Sequence, residues 1–315
     1  MNRKAIILSI SSYKMSRDEE SLIKNQKPWG IILFKRNIKS LNQTKELTNR
    51  IRFLMNDRKY PILIDEEGGK VSRLSNIIDT KDLSQNLFGN LYEKNKNLGI
   101  KSYSEFLTLI CQLLNEAGVN INTTPVLDVL NSNAHKIIGS RSYSKNINTI
   151  NILKKKFLDS LNNFKIGSVS KHIPGHGLSK VDTHKKISVI NETFKTLLKK
   201  DFKVFKDIKS HFSMTAHIIY NKIDPLNVAT HSNLIISEII RRRIGFKGIL
   251  ISDDISMKAL SKNLVYNAEK AISSGCNLVL YCKGNFKESS LLLSKMSKID
   301  NFTKKKTSEF YNFLR

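Results

Sequence analysis

At 315 residues and 40% hydrophobic composition, the chain can bury a large core, either as one α/β barrel or as two smaller domains. No stretch approaches the roughly 20 apolar residues that span a bilayer. The apolar run Ala5-Ile6-Ile7-Leu8 is too short for a signal-peptide core and has no small-residue cleavage site, so the expectation is a soluble, cytosolic protein with no membrane partner. The formal charge of +26 raises nucleic acid as a partner, but 41 of the 53 basic residues are Lys, spread along the whole length. Reading a nucleic acid favours Arg and aromatic residues in clusters.

In chain order, apolar β-branched runs predict strands at residues 5–11, 29–34, 61–65, 119–128, 167–172, 212–217, 248–253 and 277–282. Helix-period patterns fall between them at 40–55, 104–117, 147–164, 233–244 and 256–274, several opened by Ser or Asn and closed by Gly118, Gly245 or Gly275. The region 81–117 reads as two helices or an insertion. Past Lys283 a final polar helix is expected to close the fold. The basic runs at 154–156, 241–243 and 304–306 lie in amphipathic segments and read as wet helix faces. Cys111, Cys276 and Cys282 lack metal-type spacing and read as reduced packing residues. Eight strands alternating with helices predict a single-domain (β/α)₈ barrel over residues 1–315. An open doubly wound sheet would want a Gly-rich phosphate turn after an early strand, and none is present.

In such a barrel, polar residues at strand C-terminal ends face the active site. Here strand three runs into Asp65-Glu66-Glu67-Gly68-Gly69, strand four into Asp128, strand five into Lys171-His172, strand six into Thr215-Ala216-His217 and strand seven into Ser252-Asp253-Asp254. The loop after strand five carries His176, Asp182 and His184 with Gly175 and Gly177. So many ionisable groups at one end exceed what packing needs. Plainer roles exist for several of them. Asp254 can cap the helix that follows, Asp128 can hold its loop by accepting backbone hydrogen bonds, His217 can be a satisfied core histidine, and Arg73 and Arg141 can be structural ion pairs.

The segments Lys171-His172-Ile173-Pro174-Gly175-His176-Gly177 with Asp182-Thr183-His184, Asp65-Glu66-Glu67-Gly68-Gly69-Lys70-Val71-Ser72-Arg73, and Ser252-Asp253-Asp254-Ile255-Ser256-Met257 resemble the bacterial β-N-acetylglucosaminidases of glycoside hydrolase family 3. The match is to the compact, single-domain, cytosolic type that recycles cell-wall fragments. It extends over roughly residues 5–282 and includes Ile138-Gly139-Ser140-Arg141-Ser142-Tyr143. Ile173 stands where Phe is usual, Glu66 where Gln is usual and Lys70 where Arg is usual.

The resemblance implies a retaining β-N-acetylhexosaminidase acting on peptidoglycan fragments, in which Asp253 is the nucleophile and His184, polarised by Asp182, is the acid/base. It implies that Asp65, Arg73, Arg141, Lys171 and His172 bind the sugar, that His217 lines the same pocket, and that neither a cofactor nor a metal is needed. The expected partner is a small carbohydrate, and the expected state is a monomer. Rival readings are a metal-dependent barrel hydrolase using His172, His176, His184, Asp182 and His217, whose spacing fits no known metal motif, a Schiff-base lyase on Lys171, and a basic nucleic-acid-binding protein.

Overall fold

The computed structural model describes residues 2–131, 138–179 and 187–315. In chain order its elements are β1 (Lys4–Leu8), α1 (Arg17–Gln26), β2 (Pro28–Leu33), α2 (Leu41–Met55), β3 (Ile62–Ile64), α3 (Gln85–Lys94), α4 (Lys96–Glu116), β4 (Ile121–Asn122) and α5 (Ile147–Asn163). There follow β5 (Gly167–Ile173), β6 (Ser188–Ile190), α6 (Phe194–Lys199), β7 (Phe212–Thr215), β8 (Ile218–Tyr220), a π-helical segment (Ile235–Arg243), β9 (Ile249–Asp254), α7 (Leu264–Ser274), β10 (Leu278–Tyr281), α8 (Phe286–Lys295) and α9 (Asn301–Phe313).

Eight strands form a closed parallel barrel in the order β1-β10-β9-β7-β5-β4-β3-β2. Closure runs through Ile7 beside Leu280 on one flank of β1 and Leu8 beside Ile31 on the other. An open sheet is thereby excluded. The strands are short and almost wholly buried, as near-continuous apolar runs covered on both faces must be. The expected strand at 119–128 shrinks to Ile121–Asn122 because Pro125, with no N–H to give, interrupts it. The chain nevertheless stays beside β5, with Leu127 N–H donating to Lys171 O at 2.7 Å.

Helices form where an apolar stripe meets a cap. In α2, Thr44, Leu47, Thr48 and Ile51 are buried along one face, and the Ser40 hydroxyl accepts from the Gln43 N–H. The segment 81–117 proves to be two helices, with Asn95 ending α3 and capping α4. The helix expected from residue 256 begins instead at Leu264, capped by Asn263, so Asp254 does not cap it. The final polar helix is two, α8 and α9. Helix α9 seals the N-terminal end of the barrel: Phe310 packs edge-on to Phe212 at 5.1 Å, and Trp29 Nε1–H donates to Thr307 Oγ1 at 3.0 Å. The basic runs are not uniformly wet. Arg241 donates to Phe246 O, Gly248 O and Asn277 Oδ1, and Lys154 Nζ to Val204 O. Among the described residues, no helix is long and apolar enough to cross a membrane.

Candidate active site

The C-terminal end of β3 carries three successive carboxylates, and their surroundings separate them. Asp65 accepts from Thr123 Oγ1 at 2.7 Å, Lys171 Nζ at 2.5 Å and Arg73 NH2 at 2.8 Å. Burial alone would raise its pKa, but Lys171 and Arg73 outweigh burial and hold it well below the usual carboxylate range. Glu67 accepts two parallel bonds from Arg141 at 2.7 Å each and one ion pair from Lys171 at 2.6 Å. It too is held ionised, the two cations overcoming its burial. Glu66 forms no ion pair among the described residues. The chain then reverses at Gly68 and Gly69, both at positive φ, and a Cβ on Gly68 would lie 2.5 Å from Leu83 O. That reversal brings Arg73 back to Asp65.

Strand β5 is buried along its whole length, although it ends in Lys171 and His172. Successive strand side chains normally face opposite ways. Here the register with β7 shifts between Lys171 and Ile173, and both side chains reach the same cavity. Lys171 bridges Asp65 and Glu67 and stays protonated, because the two carboxylates outweigh a burial that would lower its pKa. His172 Nδ1 lies 2.6 Å from Asp128 Oδ2, while Asp128 Oδ1 accepts the N–H groups of His172 at 3.3 Å and His176 at 2.7 Å. Asp128 thus holds the loop and orients the imidazole at once.

The root of the following loop is fixed. Gly177 lies so close to Val129 and Asp201 that a Cβ there would sit 2.2 Å from Val129 O and 2.6 Å from Asp201 Oδ1. The Ser179 and Ser188 hydroxyls share a hydrogen bond at 2.7 Å, tying the loop's two ends together. Asp182 and His184 lie outside the described residues.

On β9, Asp253 Oδ1 accepts the N–H of Asp254 at 2.8 Å. Asp254 in turn accepts from Ser256 N–H and Oγ–H and from Cys282 N–H, so it stitches β9 to β10. His217 is buried. Its Nε2 lies 3.1 Å from Asp254 O and its Nδ1 2.7 Å from Thr230 Oγ1. A carbonyl can only accept, so Nε2 carries the proton and Nδ1 accepts from the threonine. Burial lowers the His217 pKa and keeps the ring neutral.

Asp65, Arg73, Arg141, Lys171, His172 and Asp253 line one cavity of about 230 Å³, together with the apolar Phe34, Val71, Met214 and Leu280. Drug-sized sites run about 300–1,000 Å³, so this one suits a single small ring. Six sequence-selected residues therefore meet in one place. His217 does not line it and sits against the β9 end instead. Cys282, read from sequence as a packing residue, lies on the cavity wall. Glu67, Asp128 and Thr123 were not singled out as ligand-facing, yet Glu67 fixes Lys171 and Arg141, Asp128 fixes the imidazole and Thr123 donates to Asp65. The signal for Glu67 was its place in the strand-end acidic run. Arg73 and Arg141 are ion-paired and cavity-lining at once, so the structural and the ligand-facing readings coexist. Arg73 Nε is buried with no partner among the described residues. No cluster of three His, Cys, Asp or Glu among the described residues is arranged for a metal ion.

A closed parallel barrel whose C-terminal mouth converges carboxylates, guanidinium groups, an ammonium and an imidazole on one small cavity has the form of a barrel enzyme for a polar, uncharged or anionic small molecule. Residues 1–307 match the family described as the glycosyl hydrolase family 3 N terminal domain. The chain is 31% identical over 296 residues to the beta-hexosaminidase of Nitrosomonas eutropha, covering 92% of this chain and 83% of that one. It is 30% identical over 285 residues to the beta-hexosaminidase of Bordetella pertussis, covering 88% and 80%. The solved structure of NagZ from Neisseria gonorrhoeae in complex with N-trifluoroacetyl-D-glucosamine superposes with a TM-score of 0.87 at 25% identity, over 100% of this chain and 90% of that one. The chain belongs to glycosyl hydrolase family 3, and it is a glycosidase.

Proposed function

We propose that the protein is a retaining β-N-acetylglucosaminidase in which Asp253 is the nucleophile. The observation that carries this reading is the single cavity in which Asp253 faces the Asp65–Arg73–Lys171 ion cluster and His172. The hexosaminidase relatives supply the substrate class. An Asp253 oxygen attacks the anomeric carbon as the bond to the leaving oxygen breaks. His184, oriented by Asp182, gives that oxygen a proton. Water then attacks the same carbon and gives its proton to His184, and the ester to Asp253 breaks. An imidazole suits both steps near neutral pH, because its unperturbed pKa is about 6.5. It also avoids placing a second carboxylate beside the nucleophile. Asp65, Arg73, Arg141, Lys171 and His172 hold the sugar hydroxyls in this reading, and His217 fixes the end of the strand that bears Asp253.

The substrate we infer is the terminal N-acetylglucosamine of peptidoglycan fragments, N-acetylglucosaminyl-β-1,4-anhydro-N-acetylmuramic acid with or without peptide. It would be cleaved in the cytosol by a single catalytic barrel working as a monomer, without metal or membrane. The test is hydrolysis of nitrophenyl β-N-acetylglucosaminide followed by proton NMR. β-Anomer as first product and loss of at least 10³-fold in kcat for Asp253→Asn are expected. First-formed α-anomer would overturn the retaining mechanism, and activity abolished by EDTA would favour a metal hydrolase.

A further inference from the structure

Of the three carboxylates that end β3, Asp65 and Glu67 carry the ion pairs with Lys171, Arg73 and Arg141, and Glu66 forms none among the described residues. It is 3% exposed, and its backbone is clamped from β4: Glu66 N–H donates to Asn122 Oδ1 at 3.1 Å, and Asn122 Nδ2 donates to Glu66 O at 2.9 Å. Its Oε2 accepts three bonds from the returning arm of the Gly68–Gly69 turn: Arg73 N–H at 2.6 Å, Leu74 N–H at 2.9 Å and the Ser72 hydroxyl at 3.2 Å. Oε1 is buried with no partner among the described residues.

We propose that Glu66 is a positioning residue for sugar binding: by gripping the backbone of Arg73 and Leu74 against β4, it sets where the Arg73 guanidinium meets Asp65 and the ligand. The reversal is closed by Glu67 N–H donating to Val71 O at 2.9 Å and Val71 N–H to Gly68 O at 3.3 Å, and these bonds stop at Val71, short of Arg73. The Arg73 side chain, between Asp65 at 2.8 Å and the ring of Phe34 at 5.2 Å, can be placed reproducibly only if its backbone is held. Glu66 is the group that takes the Arg73 and Leu74 N–H groups. Burial pushes its carboxyl up to about 7, against the bonds from Leu74, Arg73 and Ser72, and the charged groups facing it are Asp65 and Arg73. The Arg73 guanidinium is paired with Asp65 while Glu66 takes the backbone N–H groups of Arg73 and Leu74, so the grip works through backbone hydrogen bonds.

The inference rests on the glycosidase reading for its kinetic arm only. Glu66→Gln keeps an oxygen where Oε2 stands, so KM for nitrophenyl β-N-acetylglucosaminide should stay within about threefold of the parent. Glu66→Ala removes all three bonds. Its KM should rise at least tenfold with kcat within about threefold, and amide exchange of residues 72–74 should quicken by at least tenfold. Should Glu66→Ala fail to fold, Glu66→Asp, which retracts the carboxyl by one methylene, carries the same expectation in milder form. The proposal is overturned if Glu66→Gln impairs KM as much as Glu66→Ala, or if Glu66→Ala leaves both KM and exchange unchanged. A parent protein that cleaves no N-acetylglucosaminide would sink the functional reading alone, because the exchange arm would still decide the grip.

Discussion

At the scale of single residues, the mouth works by sorting identical groups through their neighbours. Asp65, Glu66 and Glu67 are consecutive, yet Lys171, Arg73 and Arg141 hold two of them ionised, while burial raises the third. If Asp253 and His184 have the roles proposed, substrates with different leaving groups will separate them. Asp253→Asn should abolish hydrolysis of every N-acetylglucosaminide, whereas His184→Ala should slow poor leaving groups at least tenfold more than nitrophenyl ones, which depart with little protonation. Equal losses on both would remove His184 from the acid/base role. A second expectation concerns Asp201, buried beneath the loop root. Burial, with Asp128 adding to it, pushes its carboxyl up to about 7. Below about pH 4 the group is neutral in folded and unfolded chains alike. As pH rises from there to about 7, the unfolded chain ionises first, so stability is lost across that window and levels off above it. Asp201→Asn should therefore raise Tm at pH 8 by an amount worth on the order of 2–4 kcal/mol and leave it nearly unchanged at pH 4. A thermal scan of both proteins at the two pH values checks the sign.

At the scale of elements, stability and chemistry occupy opposite ends of the barrel. Helix α9 closes the N-terminal end with Phe310 against Phe212 and the Trp29–Thr307 bond, far from the cavity-lining strand ends. Phe310→Ala should cost about 3–5 kcal/mol in denaturant unfolding while leaving KM of the folded fraction unchanged. At the other end, Gly177→Ala should cost activity more than stability, because its Cβ would have to displace Val129 O or Asp201 and tilt the loop. Measuring kcat alongside Tm distinguishes the two. Much of this was legible in sequence. All eight barrel strands fall within or overlap their expected runs, since strands covered on both faces must be apolar throughout. Helix α1 was missed although it carries a capping box, Ser16 with Glu19, because its mostly polar sequence hides the stripe of Glu19 and Ile23 that it buries. The late start of α7 was missed because periodicity does not see that Asp254 is engaged by Ser256 and Cys282.

At the scale of the molecule, a charge of +26 on a glycosidase bears on association kinetics and leaves the fold unaffected. If the substrates are anionic muropeptides, kcat/KM for them should fall severalfold between about 20 and 200 mM salt, while neutral chitobiose should show little change. Parallel salt series on the two substrates test this. The amino-acid sequence by itself determined the alternation of strand and helix, hence the barrel, and the end of the barrel at which ionisable groups gather, because burial and periodicity are local properties of the chain. It could not say which carboxylate each cation would take, that a register shift would turn both Lys171 and His172 into one cavity, or that His217 would face a backbone carbonyl. Those outcomes depend on distances between residues as far apart in sequence as Asp65 and Lys171, and only closing the barrel sets them.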